Sequence, residues 1–165
     1  MSERKTKHDT FVIERKFPQS PARVFNAFAD PAAKARWFGG PPGQWQEQMR
    51  EADFKVGGRE RVSGAWSGGK VSSFDAYYLD IVPDERIVYA YAMQIDGTPI
   101  SVSLATVEFK PAGGGTNLVI TEQGAFLDEF LDGGGRRQGT GMLLDLLAAA
   151  LEMEQAAAGE QTRQP

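Results

Sequence analysis

Six strand-length segments follow one another at hairpin spacing through the middle of the chain. They are residues 45–54, 59–66, 71–82, 86–95, 100–110 and 117–123. Gly-Gly, Ser-Gly-Gly, Pro-Asp, Asp-Gly and Gly-Gly-Gly sequences separate them. Because connections this short join neighbouring strands that run in opposite directions, the sequence predicts an antiparallel meander.

A further strand and two short helices precede the meander. Residues 11–17 alternate apolar and polar side chains, which predicts a strand, and its simplest position is an edge of the meander. Ser20 and Asp30 each precede a proline, and a capping side chain followed by proline is typical of a helix start. The second of these helices is predicted to end near residue 37.

A long helix follows the meander. Residues 136–155 carry a stripe of leucines on one helical face, and residues 126–132 before them are compatible with one helical turn. The apolar face of a sheet and the leucine face of a helix bury each other. The sequence therefore predicts an α+β fold, in which a curved seven-stranded antiparallel sheet surrounds a long C-terminal helix. The stripe is formed by Leu143, Leu144, Leu147 and Leu151.

The length of 165 residues fits one domain. We assign residues 8–155 to this domain, residues 1–7 to a disordered leader and residues 156–165 to a flexible tail. The first nine residues contain no apolar core of a signal peptide, and the chain has no cysteine, which fits a reducing compartment. We therefore predict a cytoplasmic protein.

Charge and composition exclude several classes of partner and site. The net charge is −4 and no basic stripe occurs, so we predict no binding of nucleic acid. No apolar run approaches the ~20 residues of a membrane span, so we predict no membrane insertion. The one histidine, His8, lies in the polar N-terminal segment, which together with the lack of cysteine excludes a Ser-His-Asp triad and thiolate zinc sites. We predict no metal site and no cofactor, and we assign no catalytic residue.

Five motifs in the same order resemble a known superfamily. Residues 15–21 resemble its opening, and residues 37–39 resemble the aromatic-aromatic-Gly that follows its second helix. Residues 53–58 resemble its Asp-x-x-x-Gly-Gly turn, and residues 78–89 resemble its central hairpin. Residues 139–147 follow its final Gly-Trp-x-x-x-Leu-Asp-x-Leu in outline. Over nearly its whole length the chain resembles the START-like (SRPBCC) superfamily, in the branch named after the activator of the heat-shock-protein-90 ATPase.

This resemblance implies the helix-grip fold, with a cavity between the sheet and the C-terminal helix. Thr140 stands where the family usually has tryptophan. The smaller side chain either leaves a larger cavity or allows its neighbours to fill the space. The family has diverse functions, so the resemblance implies a fold rather than one activity.

The strand at residues 86–95 places bulky amphipathic side chains on one face, among them two tyrosines. A tyrosine ring can contact an apolar ligand while its hydroxyl binds a polar group. Because a strongly curved sheet cannot close fully on one helix, we predict a ligand pocket rather than a filled core. The predicted lining residues are Trp37, Trp45, Trp66, Phe74, Tyr89, Tyr91, Met93, Glu122, Thr140, Leu143 and Leu147.

Glu122 is the carboxylate of the predicted lining. It alternates with Leu118 and Ile120, and the resemblance also implies a polar residue on the cavity side at this position. An interior position would raise its pKa, whereas the alternative is a solvent-facing edge strand. Arg15 lies on the apolar face of the first strand, so it either enters the interior to pair with Glu122 or reaches water.

Three functions follow from these observations. The first is the binding of a small hydrophobic or amphipathic molecule by a monomer or homodimer. The second, implied by the resemblance, is a co-chaperone-like stress-response role on a heat-shock ATPase, although the activator itself carries a further domain that we do not expect here. The third is a cavity enzyme of the cyclase or hydrolase type that uses Glu122 as acid or base. We favour binding over catalysis because the predicted pocket contains neither histidine nor cysteine.

Overall fold

Strands and helices follow one another in the predicted order. The computed structural model describes residues 3–131 and 134–161. None of the helices in these residues has the length and hydropathy needed to cross a membrane. The elements are β1 Thr6–Phe17, α1 Pro21–Ala29, α2 Pro31–Ala35, β2 Trp45–Ala52, β3 Arg59–Trp66, β4 Val71–Val82, β5 Arg86–Ile95, β6 Thr98–Ala112, β7 Gly115–Leu127, a 3₁₀ helix at Asp128–Phe130, and α3 Gly134–Gln161.

The strands form one antiparallel sheet in the order β1-β7-β6-β5-β4-β3-β2. The first strand pairs with the last, so that Thr6 lies opposite Leu127 and Phe17 lies opposite Thr116. This edge position of β1 confirms the predicted seven-stranded sheet. The pairing register shifts once between β2 and β3, once between β4 and β5, and once between β5 and β6. Such bulges bend strands and increase their twist, which helps the sheet to curve around α3.

Several element bounds differ from those predicted. Strands β3, β4 and β5 have the predicted bounds, but β7 continues to Leu127 and leaves only Asp128–Phe130 for a helical turn. Strand β1 begins at Thr6, inside the predicted leader, because it pairs with the extended part of β7. Helix α3 continues to Gln161, beyond the predicted end at residue 155. Residues 1–2, 132–133 and 162–165 lie outside the described residues.

The predicted capping and turn residues have the expected geometry. Ser20 Oγ accepts a hydrogen bond from the backbone N–H of Arg23 at 3.3 Å, and Asp30 caps α2 in the same way. Asp96 and Gly97 both have positive φ, at 50° and 79°. A two-residue type I′ hairpin requires this conformation, which Asp-Gly adopts readily.

Helix α3 covers the sheet unevenly. In its middle turns Leu144, Leu147 and Leu151 are each at most 1% exposed. Burial of each leucine contributes about 1.5–3 kcal/mol, so these turns anchor the helix. The core around these leucines includes side chains of β1, α1, β5, β6 and β7, namely Phe17, Val24, Phe25, Phe28, Ile87, Val107, Phe109, Leu118 and Ile120.

Near the other edge of the sheet, the Trp45 indole occupies space that glycines leave free. A Cβ atom placed on Gly64 would lie 2.1 Å from Trp45 Cε2, and one placed on Gly40 would lie 2.4 Å from Trp45 Cβ. Both distances are far below van der Waals contact. The position of Trp45 therefore depends on the missing side chains of these glycines.

We predict that Gly64→Ala destabilises the protein by about 1–3 kcal/mol, because the added methyl group displaces the Trp45 ring. Urea unfolding followed by circular dichroism measures the change. The matched control is Gly68→Ala, since a Cβ atom there would meet nothing within 4 Å. This control should change the free energy of unfolding by no more than about 0.5 kcal/mol. Equal losses in the two variants would contradict the packing role of Gly64.

Candidate functional site

The N-terminal half of α3 and the concave face of the sheet enclose a cavity of about 710 Å³. Its walls come from residues of strands β2 to β7, from the segment between α1 and β2, and from the first turns of α3. The cavity is partly open to solvent, and two of the residues that border it on α3, Gly135 and Gln138, are exposed. The volume is typical of a small-molecule site.

Glycines at the start of α3 leave room for this space. Gly135 and Gly139 border the cavity, and a Cβ atom added to either would meet nothing within 4 Å. Leu144, Leu147 and Leu151 fill the gap between helix and sheet farther along α3. The two layers therefore pack tightly only after the first turns of the helix.

All predicted lining residues except Leu147 border the cavity. Leu147 is 0% exposed within the core cluster and does not border the cavity. The leucine stripe defines a face of α3 but not the point along the helix at which it reaches the sheet. The residues that do border the cavity are Trp37, Trp45, Trp66, Phe74, Tyr89, Tyr91, Met93, Glu122, Thr140 and Leu143.

Aromatic rings form a continuous part of the cavity wall. The ring centroids of Phe38 and Phe74 lie 4.9 Å apart, and those of Phe74 and Tyr91 also lie 4.9 Å apart. Tyr89 continues the row at 5.8 Å from Tyr91. Rings in such contact present a broad, rigid apolar surface with hydroxyl groups at its edge.

Glu122 enters the cavity from β7 and is 4% exposed. Tyr91 Oη donates a short hydrogen bond to Glu122 Oε1, and Thr140 Oγ1 donates to Oε2 at 3.2 Å. The Tyr91 hydroxyl in turn accepts a hydrogen bond from Arg136 Nη1 at 3.0 Å. The interior position of Glu122 agrees with the expectation from strand alternation, while its contact with a ligand stays a prediction.

Burial raises the pKa of Glu122 above the ordinary value of 4.5, because removal from water disfavours the ionised carboxylate. The hydrogen bond from Tyr91, the charge of Arg136 and the hydrogen bond from Thr140 act in the opposite direction without offsetting it. The pKa of Tyr91 is also raised, first by burial and then by the nearby charge of Glu122. Tyr91 therefore keeps its proton at neutral pH and acts as a donor to Glu122.

The cation of this cluster is Arg136 and not Arg15. Arg15 Nη1 binds Asp145 on the exposed side of α3 at 2.5 Å, and Arg15 Nη2 donates to the Gly141 carbonyl oxygen at 3.5 Å. Of the two alternatives for Arg15, the interior pairing with Glu122 is not the one found, since β1 is an edge strand whose Arg15 side chain reaches the outside of the helix. Arg136 was missed because it lies in a glycine-rich helix start without apolar periodicity.

A second polar cluster, which sequence reasoning missed, lies beside α2. Lys34 Nζ and Glu60 Oε1 are 2.6 Å apart, and the two side chains are 6% and 2% exposed. Tyr78 Oη donates to Glu60 at 3.1 Å and accepts from Lys34 at 3.3 Å. The Lys34 ammonium also lies 4.4 Å from the centroid of the Phe38 ring, within reach of a cation–π interaction. The alternation of β3, which puts Glu60 on the buried face of Val62, was a signal that could have identified this carboxylate.

The charged side chains that border the cavity are Lys34, Glu122 and Arg136. In residues 3–131 and 134–161, no group of three or more potential metal ligands is placed to hold an ion. A buried carboxyl with two hydroxyl donors can exchange a proton or orient a polar group of a ligand. This is the chemistry that the cavity makes available.

A family model matches most of the chain. It is described as activator of Hsp90 ATPase homolog 1-like protein, and it matches residues 18–152. The chain belongs to this family. The match spans both short helices, the meander and most of α3, and it confirms the resemblance that the sequence motifs carry.

Solved structures of similar proteins share the fold of this family member. A protein from Rhizobium leguminosarum is 46% identical, with 92% of this chain and 99% of that chain covered and a TM-score of 0.87. The Mll3558 protein from Rhizobium loti is 48% identical, with 88% and 99% covered and a TM-score of 0.81. An AHSA1-like protein from Aeromonas hydrophila, at 23% identity, 92% and 94% coverage and a TM-score of 0.66, shows the fold alone. No curated protein matches the chain.

We predict that Glu122→Gln changes how stability depends on pH. A carboxyl whose folded-state pKa is raised contributes stability that is fully present below the unfolded-state pKa and is lost as pH rises through the folded-state pKa. The wild-type free energy of unfolding should therefore fall relative to that of the variant as pH rises above 4.5. Urea unfolding of both proteins at several pH values from 4.5 to neutrality measures the difference between their free energies of unfolding. Titrating groups that the two proteins share contribute equally to both and do not affect this difference. A difference that stays constant over this range would contradict the buried, proton-retaining state of Glu122.

We predict that Lys34→Met destabilises the protein by about 3–5 kcal/mol, because it leaves the Glu60 carboxylate buried without its cation. The double variant Lys34→Met with Glu60→Met should lose less than the sum of the two single losses, since it removes both charges. Arg59→Met breaks the exposed ion pair with Asp75 on the same strand pair, and this control should cause a much smaller loss. Additive losses in a double-mutant cycle would show that Lys34 and Glu60 are not coupled.

Proposed function

We propose that this family member binds a small hydrophobic or amphipathic molecule between the sheet and α3. The observation that carries the proposal is the cavity of about 710 Å³ inside the domain. Protein interiors are close-packed, and voids larger than a water molecule are few. The residues around a space of this size lack protein packing contacts on one side, and a ligand that fills the space would supply them.

The division of the lining between apolar and polar groups indicates how such a ligand is held. Phe74, Tyr89 and Tyr91 offer ring faces to its apolar body. Glu122 and Thr140 offer a carboxyl and a hydroxyl to a polar group. A few polar groups in an apolar pocket fix the orientation of a ligand, while the apolar walls supply most of the affinity.

Acid–base catalysis is a second candidate function. Glu122 is buried in the cavity with a raised pKa, and such carboxyl groups are common at catalytic sites. Turnover of a bound compound that is lost in Glu122→Gln, with binding retained, would identify this function. Binding is the broader proposal because it needs only the cavity.

The co-chaperone alternative follows from the description of the family. A contact with a chaperone would use the outer surface of the domain. It would not explain why the interior contains a cavity. The cytoplasmic location and the monomeric or homodimeric state stay predictions.

We predict that Thr140→Trp lowers the affinity for a neutral apolar probe, such as N-phenylnaphthylamine, by at least about tenfold. The indole would project from α3 into the space that Thr140 borders. Fluorescence titration of the probe measures the affinity, and circular dichroism confirms that the variant is folded.

The matched control is Ala149→Trp, which adds the same side chain to an exposed position of the same helix. It should leave the affinity for the probe unchanged within about twofold. Equal binding by the wild type and Thr140→Trp, or no binding by the wild type, would count against a ligand in this cavity.

A further inference from the structure

We propose that the ligand of the cavity carries a carboxylate, which the Arg136 guanidinium binds at the start of α3, and an aryl or alkyl body that follows the aromatic wall inward. This inference deepens the proposed function and rests on it. It names the chemical class of the ligand and the residue that selects that class.

The first observation is that the hydrogen-bond partners of Arg136 are neutral. Its Nη2 donates to Ser101 Oγ at 2.7 Å, and its Nη1 donates to Tyr91 Oη at 3.0 Å and to Ser103 Oγ at 3.5 Å. Within residues 3–131 and 134–161, no carboxylate forms an ion pair with Arg136. A partly buried cation whose hydrogen bonds go only to neutral hydroxyl groups can form a stronger, charge-assisted pair with an anion that reaches it.

The second observation is that the guanidinium is already oriented. Its central carbon lies 5.5 Å from the centroid of the Tyr91 ring and 5.4 Å from that of the Phe126 ring. These rings and the serine hydroxyl groups hold the planar group at the edge of the cavity. Since its N–H donors are not exhausted by these contacts, a carboxylate can accept a charge-assisted, bidentate pair from it.

The third observation is the balance of charge along the cavity. The lining contains two cations, Lys34 and Arg136, and one carboxyl, Glu122. Lys34 is already paired with Glu60 at 2.6 Å. Glu122 is separated from Arg136 by the Tyr91 hydroxyl, and its burial favours the protonated form. Arg136 therefore contributes the positive charge that is least compensated, in a protein whose net charge is −4.

The fourth observation is the position of Arg136 on its helix. Arg136 and Arg137 lie in the first turn of α3, a helix of 28 residues whose first turn contains no acidic side chain. The helix dipole makes this end positive, so cations here are unfavourable and an anion is favourable. An anionic group beside Arg136 would be stabilised by both the guanidinium and the helix end. The exposed neighbours Gly135 and Gln138 leave a route by which it can arrive from solvent.

The test compares acids with their uncharged esters. Naphthylacetic acid, dodecanoic acid and the methyl ester of each are titrated into the wild type by calorimetry at neutral pH. Each acid should bind at least about tenfold more tightly than its ester, as one charge-assisted interaction predicts. The aryl and alkyl pairs together distinguish an aromatic acid from a fatty acid as the natural class.

Two variants assign the effect to one residue. Arg136→Met should reduce the affinity for the acids by at least about tenfold and leave the affinity for the esters within about twofold. Arg137→Met removes an exposed charge from the same turn and should change neither the affinity for the acids nor the affinity for the esters. Circular dichroism checks the fold of both variants, and the acid–ester comparison in the wild type decides the proposal if Arg136→Met does not fold.

The outcomes separate this inference from the proposed function. Equal affinities of acid and ester in the wild type would overturn the carboxylate, while cavity binding would stand. Equal losses of acid binding in the two variants would overturn the assignment to Arg136, because a general charge effect would explain them. If no acid, no ester and no N-phenylnaphthylamine bound, the proposed function would fail and this inference would fail with it.

Discussion

One helix covers the concave face of a seven-stranded sheet, and the rest of the structure depends on how much of that face the helix contacts. The middle turns of α3 contact the sheet through Leu144, Leu147 and Leu151, which water does not reach. The first turns contain Gly135 and Gly139, which border the cavity and have no side chains to bridge the same gap. Because the sheet is continuous under both parts, the helix makes a dry core at its leucines and a cavity at its start.

Two clusters of polar side chains lie at the cavity, and they differ in how their charges are balanced. Each charged side chain at the cavity has hydrogen-bonding partners, as buried polar groups require. The Lys34–Glu60 pair with Tyr78 is a closed cluster, since both charges and the hydroxyl satisfy one another. The cluster at Arg136, Tyr91 and Glu122 is hydrogen-bonded but not charge-balanced in the same way, because a hydroxyl stands between cation and carboxyl. The first cluster therefore shapes the cavity, and the second is the one that can respond to a ligand.

Sequence patterns predicted what is encoded locally and missed what depends on distant pairing. The hairpin turns predicted the bounds of β3, β4 and β5. Alternation put Glu122 on the same strand face as Leu118 and Ile120 but left open whether that face is interior. The extension of β1 to Thr6 and of β7 to Leu127 depends on the pairing of chain segments more than a hundred residues apart, which neither strand reveals alone. Alternation left two positions open for Arg15, an interior pair with Glu122 or a side chain that reaches water, because it does not say what lies beyond the edge of a sheet. Lys34 lies on a helix of five residues, too short for a periodic pattern to indicate its buried side.

The first turns of α3, where the cavity and Arg136 lie, contain residues that are unfavourable for a helix. Each glycine in a helix interior costs about 1 kcal/mol relative to alanine, and no packing around Gly139 or Gly141 offsets that cost. The first turn adds Arg136 against the helix dipole. A chain that only needed a stable lid would place alanine or leucine in these turns, as it does from Leu143 to Leu151. The turns that cover the cavity therefore have a lower intrinsic helix propensity than the leucine- and alanine-rich turns that follow.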